Sequence, residues 1–189
     1  MDFSVVVPLY NEEENVQLLY EEIHDVLKGM DARSEIVFVD DGSRDSTLAR
    51  LESIQQHDPG VKVVSLRRNF GQTAAMSAGF DHAGGAVIIT MDGDPQNDPH
   101  DIPKMLAKLD EGYDVVTGWR FDRQDAMLSR KLPSMMANRL ISWVTGVSLH
   151  DYGCTLKAFR REVIENINLY GEMHRVIPAI ASGMGIPFP

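Results

Sequence analysis

Val87-Ile88-Ile89-Thr90-Met91-Asp92-Gly93-Asp94-Pro95-Gln96 is the stretch on which the reading of this chain turns. A buried apolar strand runs directly into two carboxylates one residue apart, with an amide just beyond. In extended backbone, positions i and i+2 point the same way, so Asp92 and Asp94 share a face. Gly93 between them lets the backbone approach whatever they hold. Hard oxygen donors in this number suit Mg²⁺ or Mn²⁺, ions that keep several waters and share a substrate's phosphates. Asp, Gly and Pro are also ordinary turn residues, so the triplet gains meaning only from its surroundings.

Those surroundings repeat one pattern. Phe3–Pro8, Glu35–Val39, Val61–Leu66 and Ala86–Met91 are Val- and Ile-rich runs, apolar on both faces as central parallel strands are. Between them run helical stripes: Val16, Leu19, Tyr20, Ile23 and Val26 or Leu27; then Leu48, Leu51 and Ile54 or Gln55; then Ala75, Met76, Gly79, Phe80 and Ala83. Asn11 and Glu14 are spaced like a capping box for the first helix. This alternation predicts an α/β protein with a mostly parallel central sheet and helices on both faces. Further on, Asp98 or Asp101 is expected to cap a helix reaching about Glu111, with Asp114–Thr117 and Leu156–Phe159 as later strands. Residues 121–133 read as a loop, 134–146 as an amphipathic helix and 172–184 as a last helix.

Composition narrows the function. The chain has 189 residues, 43% hydrophobic and 24% charged, within the range of one large globular domain. A net charge of −10 argues against a nucleic-acid partner. Acid dominates the first half, whereas Arg120, Arg123, Arg130, Lys131, Arg139, Lys157, Arg160 and Arg161 crowd a later window. That run is either solvated surface or an anion site. The single cysteine, Cys154, has no internal partner and reads as a small buried hydrophobe. No apolar run approaches the roughly 18 residues of a membrane span.

In open α/β sheets, ligands bind beyond the carboxyl ends of the strands. Here the first end delivers Pro8-Leu9-Tyr10-Asn11-Glu12 and the second Asp40-Asp41-Gly42-Ser43. The third delivers Arg68, Asn69, Gly71 and Gln72, and the fourth Asp92, Gly93 and Asp94. An aromatic and a carboxylate can read a base, another carboxylate can hold ribose hydroxyls, and a metal can bridge phosphates. The first strand–helix turn contains no glycine and no Walker sequence, which argues against a dinucleotide fold and a P-loop ATPase. Glu12, Glu13 and Glu14 at the start of the first helix would repel a pyrophosphate.

The chain resembles the inverting family-2 glycosyltransferases of GT-A fold, a Rossmann-like architecture. VVVPLYNEEEN at 5–15, VFVDDGSRDST at 37–47, LRRNFGQTAAMSAGFDHAGG at 66–85 and MDGDPQNDP at 91–99 carry the resemblance. DYGCTLKAFRREV at 151–163 and YGEMHRVIPAIA at 170–181 extend it. The subgroup it resembles is the polyprenyl-phosphate glycosyltransferases, such as dolichol-phosphate mannose synthase and the undecaprenyl-phosphate sugar transferases. The resemblance implies that Pro8, Tyr10, Asn11 and Glu12, with Asp40, hold the nucleoside. It places Asp92 by the ribose and metal, and gives Asp94 and Gln96 the metal that bridges the donor's diphosphate. Arg120, Arg130, Lys131 and Ser134 are implied to hold donor and acceptor phosphates, and Asp151 carries over less directly. The family often has Asp-Ala-Asp-Leu-Gln where this chain has Asp-Gly-Asp-Pro-Gln.

The expected reaction is therefore metal-dependent, inverting transfer from a UDP- or GDP-sugar to a polyprenyl phosphate. The general base of the family's processive synthases, Glu-Asp or Thr-Glu-Asp, is absent, as is their Gln-x-x-Arg-Trp motif. A phosphate acceptor needs no base, because its second pKa is about 6 and it arrives as a dianion. Transfer to a soluble saccharide is the alternative within enzymes, and a non-catalytic sugar-nucleotide-binding subunit is the alternative outside them. The 134–146 helix, with Met135, Met136 and Trp143 beside basic residues, fits either core packing or an interfacial element. The resemblance implies one GT-A catalytic domain over residues 1–189, cut before C-terminal amphipathic or membrane-spanning segments, at work on the cytoplasmic face of the membrane. Oligomeric state is open, a homo-oligomer included.

Overall fold

The computed structural model describes residues 1–93, 97–118 and 154–165. Six strands form one sheet in the order β3-β2-β1-β4-β6-β5. They are β1 (Phe3–Leu9), β2 (Ser34–Asp40), β3 (Val61–Ser65), β4 (Val87–Thr90), β5 (Val115–Thr117) and β6 (Lys157–Arg160). The first four are mutually parallel, as their two-sided apolar character requires. β6 runs antiparallel to both β4 and β5, so the sheet is mixed but mostly parallel.

Alternation along each strand divides the core in two. Val5, Val7 and Leu9 of β1, Ile36 and Phe38 of β2, and Ile89 of β4 face one side. There they meet α1 (Val16–Lys28), α2 (Thr47–His57) and α4 (Ile102–Asp110) through Leu19, Ile23, Leu51, Ile54, Met105 and Leu109. Val6, Val37, Val39 and Ile88 face the other side, against Ala75, Met76 and Phe80 of α3 (Gln72–His82) and Val163 of α5 (Arg161–Glu165). Helices thus cover both faces. α3 approaches the sheet closely because Gly79 has no side chain: a β-carbon there would lie 2.3 Å from Val6 Cγ1.

Chain direction along the sheet reverses at β1, since β2 and β3 lie to one side of it and β4 to the other. Crossovers on opposite faces leave a crevice between the carboxyl ends of β1 and β4, the usual ligand position in such sheets. β5 and the helix after β4 are shorter than the periodicity suggests, and β6 lies one residue later than expected. Asp98 caps a 3-10 turn (Pro99–Asp101), accepting the His100 amide at 2.9 Å, and α4 begins only after it. The proposed 121–133 loop, 134–146 helix and 172–184 helix lie outside the described residues.

The capping-box expectation for α1 is not met. Asn15 stands at the N-cap, without a side-chain cap bond. Asn11 instead adopts φ 55° and accepts the Arg44 amide at 2.8 Å. Nor do Glu12, Glu13 and Glu14 occupy the first turn of α1; they form the turn before it. Glu13 accepts the Ser46 amide at 2.9 Å, and its own amide donates to Asp45 Oδ2 at 3.2 Å. The competing principle is tertiary: these polar groups tie the loop after β1 to the loop after β2.

Candidate active site

A cleft of about 320 Å³ opens at the β1/β4 crevice. Pro8, Leu9, Tyr10 and Glu12 from the end of β1 form one wall. Asp92 and Gly93 from the end of β4 form another, and Asp41, Asn69, Gln72 and Ala75 complete the lining. Eight of these ten were singled out from sequence as nucleotide-site residues; Leu9 and Ala75 were not. Their signal is weak because both belong to the apolar periodicity of the core, and only the cleft reveals that their edges reach it.

The loops that shape the cleft are held by backbone–carboxylate bonds. Asp41 is 3% exposed, and its oxygens accept the Phe70 amide at 2.8 Å and the Gly71 amide at 2.9 Å. Its own amide donates to Leu9 O at 2.8 Å. One residue therefore ties together the ends of β1 and β2 and the entry to α3. Gly42, at φ 68°, lets the turn pass close to the 66–71 loop, since a β-carbon there would lie 2.3 Å from the Arg68 carbonyl carbon. Asp45 accepts the Thr47 amide at 3.0 Å and the Thr47 hydroxyl at 2.6 Å. Burial works to raise its pKa, but these bonds and the backbone amides outweigh it and hold the carboxyl below its ordinary value.

At the β4 end, Gln72 Nε2 donates to Asp92 Oδ1 at 2.5 Å. Gly93 lies against β1, where a β-carbon would come within 2.1 Å of Leu9 Cδ2. Its glycine identity answers to close packing rather than to positive φ, which it does not have. Beyond the loop, Asn97 Nδ2 donates to Thr155 Oγ1 at 2.9 Å, and Thr90 Oγ1 donates to Thr155 O at 2.7 Å. This anchor, buried and joining segments 58 residues apart, had no local signature in the sequence.

Four expected nucleoside-site residues do not line the cleft. Asn11 braces the β2–α2 loop, its amide donating to Ser43 Oγ at 2.9 Å. Asp40 is 1% exposed, and both its oxygens lie 3.3 Å from the Ser43 amide. Gly71, at φ 94°, turns the chain into α3. Arg68 places its guanidinium 4.8 Å from the centre of the half-exposed Phe70 ring, a cation–π pair. Asp94, Gln96, Arg120, Arg130, Lys131, Ser134 and Asp151 lie outside the described residues.

Three cations of the late basic window bond other groups of the protein. Lys157 is 3% exposed and its ammonium donates to Cys154 O. Arg160 bonds Leu109 O at 2.8 Å and pairs with Asp114 at 3.1 Å. Arg161 bonds Gly85 O at 2.8 Å and Ala83 O at 2.7 Å. These three cations brace backbone carbonyls and a neighbouring carboxylate. Cys154, 2% exposed, is the small buried hydrophobe expected of it.

Asp92 fits a divalent cation chemically, presenting hard oxygen at the wall of a nucleotide-sized cleft. Among the described residues no group of three or more His, Cys, Asp or Glu side chains is placed to hold a metal.

A mostly parallel sheet with a carboxylate-lined cleft at its switch point is the architecture of the GT-A sugar-nucleotide enzymes. The chain belongs to glycosyl transferase family 2, whose sequence profile matches residues 4–167. It is 47% identical over 186 residues to dodecaprenyl-phosphate galacturonate synthase of Rhizobium johnstonii, covering 97% of this chain and 55% of that protein. The chain thus spans about half the length of that curated relative.

Solved structures agree on the fold. Glucosyl-3-phosphoglycerate synthase from Mycobacterium tuberculosis, determined with Mn²⁺, UDP and phosphoglyceric acid, matches with a TM-score of 0.74 at 19% identity, covering 97% of this chain and 64% of that one. TarS from S. aureus matches with a TM-score of 0.62 at 22% identity, covering 94% of this chain and 54% of that one.

Proposed function

We propose that this chain is the catalytic domain of a polyprenyl-phosphate glycosyltransferase, which transfers a sugar from a UDP- or GDP-sugar with inversion at the anomeric carbon. The observation that carries the reading is the cleft between β1 and β4, with Tyr10 and Glu12 on one wall and Asp92 on the other. The similarity to a galacturonate synthase acting on dodecaprenyl phosphate supports the acceptor class.

In this reading Pro8, Tyr10 and Glu12 receive the nucleoside, while Asp40, Asp41 and Asn11 hold the loops that form its seat. Asp92, with Asp94 and Gln96, would hold Mg²⁺ or Mn²⁺, which when bound neutralises the charge of the departing nucleoside diphosphate. The acceptor phosphate is already a dianion near neutral pH, so no side chain has to remove a proton. The chain's own tasks are to hold that oxygen in line with the anomeric carbon and to screen two phosphate-bearing substrates from each other. Arg120, Arg130, Lys131 and Ser134 are assigned to that screening. Because the acceptor is a lipid, the domain works at a membrane surface, on its cytoplasmic face. No described helix is long and apolar enough to cross a membrane.

Calorimetric titration with UDP and GDP, each with and without Mn²⁺, tests the donor site. Transfer to a short prenyl phosphate, set against soluble saccharides, tests the acceptor. Absence of nucleoside diphosphate binding by the folded protein would remove the reading altogether. Transfer to saccharides alone would replace the acceptor.

A further inference from the structure

Gln72 is the first residue of α3, and its side chain meets Asp92 across the gap between α3 and the end of β4. Its position is tightly determined. The preceding Gly71 donates its amide to Asp41, while the Gly71 carbonyl accepts from Ala74 at 3.0 Å and Ala75 at 3.1 Å. Two turns further on, Gly79 lets α3 sit close against Val6 and Val39 of the sheet. Asp92 follows the end of β4, and Gln72 is among the groups that hold its carboxylate.

We propose that Gln72 is a positioning residue of the donor site, setting the rotation of the Asp92 carboxylate through Nε2. The choice of an amide has a physical logic. An uncharged N–H donor fixes one carboxylate oxygen and leaves the negative charge available to a cation, whereas lysine or arginine at this place would compete for that charge. Outer hydrogen bonds of this kind orient metal-binding groups, and their loss typically weakens metal affinity about 10- to 100-fold. The inference rests on the functional reading above, in that it takes Asp92 to belong to the donor site.

The test is a double-mutant cycle on Gln72→Met and Asp92→Ala, reading UDP and GDP affinity with and without Mn²⁺ alongside the melting temperature. Gln72→Met keeps length and removes the donor. It is expected to lower the Mn²⁺-dependent part of nucleotide affinity about tenfold. The readout is the ratio of affinity with and without Mn²⁺, which cancels any direct nucleotide contact of Gln72, and the substitution should not change that ratio further in the Asp92→Ala background. An equal fall in both backgrounds overturns the proposal, as does a loss of the same size with and without Mn²⁺, which would make Gln72 a nucleotide contact alone. Should the wild-type chain bind neither nucleotide, the donor-site reading fails. Positioning is then decided by Mn²⁺ alone: weaker binding by Gln72→Met than by wild type upholds it, while equal binding or none by both overturns it.

Discussion

Asp41 and Gly71 are joined by a 2.9 Å hydrogen bond that fastens the end of β2 to the entry of α3, and the Phe70 amide donates to the other oxygen of the same carboxylate. Asp41→Ala would strand both amides at the edge of the cleft. Hydrogen bonds to a charged group are worth about 1.5–3 kcal/mol, the smaller figure applying where water reaches the amide, as at the half-exposed Phe70. The expected result is a urea midpoint lowered by an amount in that range, together with weaker nucleoside diphosphate binding. Asp41→Asn, which keeps one acceptor oxygen, should fall between the two. An unchanged midpoint for Asp41→Ala would show that water satisfies these amides.

Gly93 and Leu9 make a second pair whose coupling can be measured. Gly93→Ala drives a methyl into the Leu9 side chain, which is 2% exposed and has little room to yield. Overpacking of this sort costs about 1–3 kcal/mol. Leu9→Ala alone is expected to cost about 2–5 kcal/mol through the cavity it leaves. The double variant should be more stable than the sum of the two losses predicts, because the new methyl occupies part of that cavity. Strict additivity in denaturant unfolding would mean that the loop moves rather than the leucine.

At the opposite end of the sheet, Glu35 gives stability a pH dependence. Its Oε1 accepts from Ser4 Oγ at 2.7 Å and from the Gly84 amide at 2.5 Å, and its Oε2 lies 2.8 Å from Lys62 Nζ. Burial pushes the carboxyl up, but the Lys62, Ser4 and Gly84 bonds outweigh it and hold the pKa below its ordinary value. A depressed folded-state pKa means that the ionised form stabilises the fold. That contribution is fully present above the unfolded value of about 4.3 and is lost as pH falls through the folded value. Lys62→Met removes the strongest of the lowering bonds, so the variant should be less stable at neutral pH and should lose less stability than the wild type as pH falls below the unfolded value. Superimposable acid unfolding curves would assign the acid sensitivity elsewhere.

Legibility of the fold followed periodicity. β1, β2 and β4 are two-sided apolar runs, and their parallel pairing follows from alternation with amphipathic helices, whereas their order in the sheet does not. The antiparallel insertion of β6 between β4 and β5 was not legible. Lys157 to Arg160 carries two cations in four residues, and its place depends on Thr90, Asn97 and Thr155, none adjacent in sequence. At the site, the strand-end rule located Tyr10, Glu12, Asp41, Asn69, Gln72 and Asp92 at once. What it does not reveal is division of labour. Asn11 and Asp40 share the chemistry of their neighbours, yet they spend their hydrogen bonds on loops, because a left-handed φ and near-complete burial turn them away from the cleft. Such partners come from tertiary structure, which local spacing does not encode.

The arginines of the later window separate into two kinds, and substitution should separate them as well. Arg161 donates to two carbonyls just before β4, from Ala83 and Gly85, and its own amide donates to Ala86 O at 2.9 Å. Hydrogen bonds from a charged donor are worth about 1.5–3 kcal/mol, so Arg161→Ala should lower the unfolding midpoint by a corresponding amount. With no place in the cleft lining, it should leave UDP or GDP affinity within about twofold, on the order of experimental additivity error. Arg130→Ala is expected to do the reverse, raising KM for a short prenyl phosphate about tenfold or more, as loss of a charge-assisted phosphate contact does, while the unfolding midpoint holds. The measurement is a paired one, unfolding and acceptor kinetics on both variants. If Arg161→Ala raised the acceptor KM as Arg130→Ala does, the bracing role would be too narrow. If Arg130→Ala left it untouched, the acceptor phosphate would have to be held by other cations, with Arg120 and Lys131 the next to vary.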